Sequence, residues 1–320
     1  MLRRLAMLAL TPLAFVLAAN AFDLQGHRGA RGLAPENTLP AFARALEIGV
    51  TTLEFDTGIT ADDAVIVAHD RRLNPDITRG PDDLWIASPG PLVRDLSLAA
   101  LRRYDVGAIR PDTSYAKSFA QQQAMPGLRM PTLRELVALT ELRGAARVRF
   151  NIETKISPLA PGETVAPERF ARLLVAEIRR LGIASRSSIQ SFDWRTLEVV
   201  AREAPEIARV HLSIEQGRGE TISKGKGASP WTGLDAAAFG NSTPRVVAAA
   251  GGRIWSPFFR DIDAETVADA KRLGISIVPW TVNEPDDLRR VIALGVDGLI
   301  TDYPDRARTI LAETGITPAQ

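Results

Sequence analysis

Four times the chain writes the same three-residue joint: Ile48-Gly49-Val50, Leu181-Gly182-Ile183, Leu273-Gly274-Ile275 and Leu294-Gly295-Val296. In each, a stretch with helical spacing ends at the glycine and a β-branched residue opens an apolar run. Glycine accepts the left-handed backbone that stops a helix, and β-branched side chains favour extended backbone. A helix–Gly–strand joint used repeatedly commits a chain to alternating β/α units and hence to a largely parallel sheet.

The other units follow by the same reading. Leu24 to Arg28 ends a first strand. Asn37 or Thr38 caps a helix with Pro40 in its first turn and Leu39, Phe42, Ala43 and Leu46 on one face. Strands are expected at 50–56, 147–155, 187–190, 207–212, near Ile254, at 275–280 and at 296–300. Helices fall between them, one opened by a Thr132/Glu135 capping box and one capped by Asp193. Eight strands, each followed by a helix or by an insertion plus a helix, predict a TIM (β/α)8 barrel in a chain of 320 residues. A doubly wound open sheet is the alternative and would place a ligand similarly, beyond the carboxyl ends of its strands.

Three stretches depart from this rhythm. Residues 57–69 hold strand-like residues on both sides of Asp62-Asp63, a link too short for a parallel crossover, so they predict a β-hairpin above strand two that carries His69 back towards Glu54 and Asp56. Residues 71–130 read as an inserted cap without an independent core, with one short helical patch near 97–104. Residues 213–243 are rich in Gly, Ser and Lys and read as a long mobile loop.

Met1 to Ala21 has a basic start at Arg3 and Arg4, an apolar run from Leu5 to Ala18, and Ala19-Asn20-Ala21 as a small-x-small cut site. That is the pattern of a secretory leader cleaved near Ala21, with residues 22–320 as the mature domain. The run is short for a membrane span, so no stable membrane insertion is expected. The chain has no cysteine, and an exported protein, periplasmic or secreted, fits these features. A net charge of +1 without a dense basic patch gives no footprint for nucleic acid.

Polar residues collect at expected strand ends: His27 and Arg28, Glu54 and Asp56, Glu153 and Lys155. In a strand, positions i and i+2 share a face, so each carboxylate-bearing pair points one way. The C-terminal rim is where barrel enzymes hold their sites. Three converging carboxylates repel unless a cation lies among them, and oxygen donors in that number suit Mg²⁺ or Ca²⁺. Taken singly, each pair also fits an ion-paired strand end. His27 beside Arg28 joins a proton carrier to a positive fork suited to an oxyanion ester. Gly26 and Gly29 allow close approach to that backbone. His69 is a second proton carrier, with Asp70 orienting it or bracing the turn. His211 reads as a packed or rim histidine, and Trp280 as a pocket wall or core residue.

The runs His27-Arg28-Gly29, Pro35-Glu36-Asn37-Thr38, Glu54-Phe55-Asp56, His69-Asp70 and Glu153-Thr154-Lys155 resemble those of the glycerophosphodiester phosphodiesterases. So do Pro131-Thr132-Leu133, Ser191-Phe192, Trp280-Thr281-Val282-Asn283 and Gly298-Leu299-Ile300-Thr301-Asp302-Tyr303-Pro304. The resemblance spans the chain after the leader, and the insertion is similar to that of exported bacterial members. It implies a TIM barrel with an inserted cap, hydrolysing glycerophosphodiesters to glycerol 3-phosphate and an alcohol. It further implies one divalent cation on Glu54, Asp56 and Glu153, and His27 and His69 as the acid–base pair. Arg28 and Lys155 would hold phosphate oxygens, Trp280 would line the substrate pocket, and Glu36 and Asn37 would order the loop. Such a site closes its charge: three carboxylates against a divalent cation, one phosphodiester and two cationic side chains. Asp62-Asp63 departs from the family's usual Asp-Gly turn, and Thr57-Gly58 from its bulkier pair. A phospholipase C or D type enzyme acting on intact lipid and a non-catalytic exported binding protein are the rival readings. The sequence specifies neither a head group nor an oligomeric state.

Overall fold

The computed structural model describes residues 22–217 and 219–318, so the leader expected at 1–21 lies outside the described residues. Eight parallel strands follow one another around a barrel in the order β8-β7-β6-β5-β4-β2-β1-β9, and a further strand, β3, pairs with β2. They are β1 (Asp23–His27), β2 (Thr52–Ile59), β3 (Val65–Val67), β4 (Arg149–Thr154), β5 (Ser187–Ser191), β6 (Ala208–Ser213), β7 (Ile254–Pro257), β8 (Ser276–Ile277) and β9 (Gly298–Thr301). Outside them lie α1 (Leu39–Ile48), α4 (Leu133–Leu142), α5 (Pro167–Arg180), α6 (Trp194–Glu203), α7 (Thr243–Ala249), α8 (Ala264–Arg272), α9 (Pro285–Ala293) and α10 (Pro304–Glu313). Two short helices, α2 (Leu98–Leu101) and α3 (Ser114–Ser118), belong to the insertion. The fold is the expected TIM barrel.

The four joints stop their helices as expected, with Gly49, Gly182, Gly274 and Gly295 at φ of +88°, +68°, +67° and +78°. The β-branched residues that follow do not open the strands themselves, which begin one to four residues later, and after Ile183 a 3₁₀ turn (Ala184–Arg186) comes before β5. Thr38 caps α1, and the Thr132/Glu135 capping box of α4 is complete. Strand β8 is shorter than 275–280 because Pro279 has no N–H for the ladder. Its neighbours still bond: Val278 N–H donates to the Trp255 carbonyl (3.0 Å), Trp280 N–H to that of Pro257 (3.0 Å) and Ile300 N–H to that of Pro279 (2.9 Å). The Asp297 carboxylate accepts the Ile277 N–H (2.8 Å) and helps to close the β8–β9 seam.

The principal core lies between sheet and helices. Leu24, Leu53, Phe55, Phe150, Ile152 and Ile189 are fully buried there, and Phe55 meets Phe42 and Phe150 edge-on at 5.7 and 6.2 Å. The opposite faces of the same strands are polar. Inside the barrel, Asn151 Nδ2 donates to Gln25 Oε1 (2.9 Å) and Gln190 Oε1 (2.8 Å), and Gln190 Nε2 donates to Glu54 Oε1 (2.6 Å). Alternation with a period of two thus gives one face to packing and the other to chemistry.

Strand β2 overruns the barrel and turns back antiparallel as β3, with Thr57 opposite Val67. Asp63 takes φ +62° at the turn, where the family's glycine would stand. The insertion has more order than the sequence indicates. Ile66 and Ala68 pack with Leu73, Val93, Leu101, Val106 and Met130 in a small cluster of their own, built on the hairpin. Residues 213–243 also pack down: Thr221, Ile222, Ser229 and Ala236 are buried, and the Trp231 carbonyl accepts the Trp194 N–H (2.9 Å). A few apolar and hydroxyl residues spaced widely in a small, polar stretch suffice to tie it down, a pattern with no periodicity to read.

Candidate active site

The register of β1, β2 and β4 brings three strand ends together, setting His27 opposite Glu54 and Asp56 opposite Glu153. Glu54, Asp56 and Glu153 each offer an oxygen, and these oxygens lie within 4.8 Å of one another. All three carboxylates are at least nine-tenths buried. Burial holds Glu54 well above the usual carboxylate range, and repulsion from Asp56 adds to it. Burial likewise pushes Glu153 up to about 7, with Lys155 opposing and Asp56 reinforcing. Burial acts on Asp56 in the same sense, but Lys155, His69 and Arg28 outweigh it and hold Asp56 well below its usual range. Asp56 Oδ1 accepts no hydrogen bond, although Lys155 Nζ is 3.4 Å away. Two carboxylates that resist ionisation around a third with an orphaned oxygen form a donor set that a hard divalent cation completes. The residues fit such an ion.

An imidazole stands at either side, each braced by a carboxylate. His27 Nδ1 is 2.6 Å from Asp302 Oδ1, and its Nε2 faces Glu54 at 3.9 Å. His69 Nδ1 is 2.8 Å from Asp70 Oδ1. A carboxylate at Nδ1 selects the tautomer whose Nε2 is bare and available for a proton. Burial lowers His27 to about 4, helped by Arg31 and opposed by Asp302. Burial, then Arg28 and Lys155, lower His69. Both imidazoles line one cavity of about 270 Å³ together with Arg28, Glu54, Glu153, Lys155 and Trp280.

The remaining residues expected from the sequence surround this centre. Arg28 takes φ +51°, donates its backbone N–H to Glu54 (3.0 Å) and its Nη1 to Glu36 (2.6 Å), and leaves Nε without a hydrogen bond 3.2 Å from Asp56. Lys155 Nζ is 2.8 Å from Glu153. Asn37 Nδ2 donates to Asp56 Oδ2 (3.0 Å), so this loop residue touches the acidic centre itself. Trp280 packs edge-on to Phe192 at 5.2 Å and is a wall of the cavity. His211 lies elsewhere, buried on the helix side of β6 with its ring edge-on to Trp194 at 4.8 Å. Gly26 and Gly29 serve packing: a Cβ on Gly26 would sit 2.2 Å from the Gly29 carbonyl oxygen, and one on Gly29 2.6 Å from the Ala41 backbone.

Four neighbours of the site were not singled out by the sequence. Asp302 braces His27 while also receiving Arg31 through Nε (2.7 Å) and Nη2 (3.0 Å) and Asn283 Nδ2 (2.7 Å). It follows directly on Thr301, the last residue of β9, so the rule of polar strand ends reaches it. Arg31 follows from Asp302. Gln190 is an inward-facing residue of β5 directly opposite Glu153 in the parallel register. Tyr115, on α3, donates its hydroxyl to Glu36. Nothing local in the insertion marks it.

Fold and site together define a TIM-barrel enzyme with a buried acidic centre flanked by two histidines. The comparisons make the class specific. Residues 27–306 match the "Glycerophosphoryl diester phosphodiesterase family", and the chain belongs to it as an enzyme of the phosphoric diester hydrolase class. A glycerophosphodiester phosphodiesterase from Caldanaerobacter subterraneus subsp. tengcongensis is 29% identical over 90% of this chain and 97% of its own. A solved structure from Silicibacter pomeroyi DSS-3, assigned as a glycerophosphoryl diester phosphodiesterase, is 35% identical and superposes with a TM-score of 0.82 over 93% of this chain and 95% of its own. An Oleispira antarctica phosphodiesterase in complex with the product sn-glycerol-3-phosphate shares the fold at 20% identity and a TM-score of 0.65, over 91% of this chain and 96% of its own.

Proposed function

We propose that this enzyme hydrolyses glycerophosphodiesters to glycerol 3-phosphate and an alcohol, with one divalent cation, Ca²⁺ or Mg²⁺, and the pair His27 and His69. One observation carries the reading: three buried carboxylates converge beside two carboxylate-braced imidazoles, and both imidazoles line one cavity with Glu54 and Glu153. The product bound to the Oleispira antarctica relative supports the substrate class.

Glu54, Asp56 and Glu153 would hold the cation, which when bound supplies Lewis-acid stabilisation of charge on the phosphoryl oxygens. Arg28 and Lys155 place fixed positive charge beside the same oxygens. With both imidazoles neutral near pH 7, one receives the proton of the attacking hydroxyl or water at its Nε2. The other, protonated in the substrate complex, delivers one to the departing alcohol, an exchange worth roughly 10²–10⁴-fold. Asp302 and Asp70 hold the two rings and favour the imidazolium when it forms. Trp280 and Phe192 wall the cavity and exclude water from one side.

No helix among the described residues is long and apolar enough to cross a membrane. We place the mature enzyme outside the cytoplasm, after removal of residues 1–21. The decisive experiment is turnover of glycerophosphodiesters by purified protein treated with EDTA and then supplied with Ca²⁺ or Mg²⁺. Activity should disappear and return. Undiminished turnover in excess chelator rejects the cation.

A further inference from the structure

Beside the catalytic cavity lies a larger one of about 590 Å³ that shares His69, Glu153, Lys155, Phe192 and Ile214 with it. It opens between the insertion and the loops after β4 and β6. A diester whose phosphate sits over the acidic centre has two arms, and this volume is the place for an arm that extends beyond the barrel mouth.

The wall of this second cavity is unusual in its charge. Arg71 and Arg72 follow directly from His69-Asp70, and both donate through Nε to one residue, Glu163: Arg71 to Oε2 (2.9 Å) and Arg72 to Oε1 (2.9 Å). Glu163 sits in a single turn after β4, and that turn is pinned from the insertion by Arg94, whose Nη1 donates to the Gly162 and Thr164 carbonyls (both 2.9 Å). The clamp therefore has fixed ends on both elements. Arg72 Nη1 reaches the Gly90 carbonyl at 3.3 Å, and among the described residues the terminal nitrogens of Arg71 have no hydrogen bond. Of the other described charges facing the cavity, Asp70 bonds to His69, and Glu153 and Lys155 pair with each other. The described charges that line the cavity balance, Arg71, Arg72 and Lys155 against Asp70, Glu153 and Glu163, so what the wall offers is the fork donors of Arg71 that no protein acceptor takes. Across from them stand Phe192 and Trp231, with ring centroids 6.4 Å apart.

Building on the proposed diesterase activity, we propose that this cavity receives the alcohol arm of the substrate and that Arg71 and Arg72 select alcohols bearing an anionic group, a carboxylate or a further phosphate. A guanidinium with free donors binds such a group bidentately, whereas a lone ammonium head offers those donors no acceptor, and the Glu163 carboxylate is already taken by both arginines. The selecting residues lie two and three positions beyond a catalytic histidine, so recognition of the arm and proton transfer are built on one segment.

Glycerophosphoserine and glycerophosphoethanolamine differ only by a carboxylate and form the test pair. The wild-type enzyme with its activating cation should show kcat/KM for the serine diester at least about tenfold above that for the ethanolamine diester. The ratio should fall towards one when Arg71→Gln and Arg72→Gln are combined. It should also shrink in the wild type as sodium chloride is raised, a readout that needs no variant. Equal turnover of the two diesters, preference for ethanolamine, or a ratio unmoved by both salt and the double substitution overturns the selection while leaving the diesterase reading intact. Failure to cleave either diester with any cation overturns both.

Discussion

Replacing Glu153 by Gln should make the cation-free protein more stable while removing its response to a cation. Glu153 is buried and its carboxyl is pushed up to about 7 from an ordinary value near 4.5. Between those values the folded state binds a proton that the unfolded state has released. Stability from this group is therefore fully present below pH 4.5 and is lost as pH rises through 7. Above pH 7 the ionised side chain costs about 3 kcal/mol, since stability falls by about 1.4 kcal/mol per pH unit between the two values. Glutamine removes the charge and can still accept from Lys155. At pH 8 in EDTA the variant should melt higher than wild type by up to about 6 °C, since about 2 °C per kcal/mol applies to a chain of this size. Adding Ca²⁺ or Mg²⁺ at about one hundred times its Kd should raise the wild type by about 2.7 kcal/mol and the variant far less. The gap between the two melting curves then closes to within about 1 °C. Calorimetry of both proteins with and without cation reads all four values. A variant that melts below wild type in EDTA and responds equally to the cation would refute the account of the acidic centre.

Three further outcomes follow from the geometry. His27→Ala and His69→Ala should each lower kcat by about 10²-fold or more, because each removes a proton carrier, and steady-state kinetics with cation present checks this. Asp302→Asn removes the negative charge that steadies His27 and pairs with Arg31; kcat should fall roughly 10–100-fold, and the melt should drop because breaking a buried pair costs about 3–5 kcal/mol. Burial lowers His211 to about 3, so it stays neutral in the folded protein while the unfolded chain binds a proton below about 6.5. Stability is thus lost as pH falls from 6.5 towards 3, by about 2 kcal/mol at pH 5. His211→Leu should flatten that acid limb in denaturant titrations while leaving kcat within about twofold.

Much of this is legible in the residues because two periods carry it. The Gly joints fix where helices stop, and alternation within strands fixes that Glu54 shares a face with Asp56 and Glu153 with Lys155. Convergence then follows from parallel neighbours in register. What escapes the sequence depends on long-range closure. Asp302 reaches His27 only because β9 returns beside β1, 275 positions along the chain. Tyr115 reaches Glu36 from an insertion whose short helices have no apolar period to announce them. The order of residues 213–243 rests on scattered single anchors. The glycines beside His27 suggest room for a visitor, and the structure fills that room with the turn's own carbonyl and helix α1.

The hairpin that carries β2 past the barrel rim has a consequence for how such an enzyme changes over time. His69 stands at the foot of this arm, tied to the barrel, while everything from Arg71 to Met130 hangs outward from it. Lengthening, shortening or rewriting the outer part would alter which molecules are admitted while His27 and His69 keep their places on the barrel, Tyr115 being the one described side chain of the insertion that bonds to Glu36. New diet and old chemistry can therefore be inherited separately within one polypeptide.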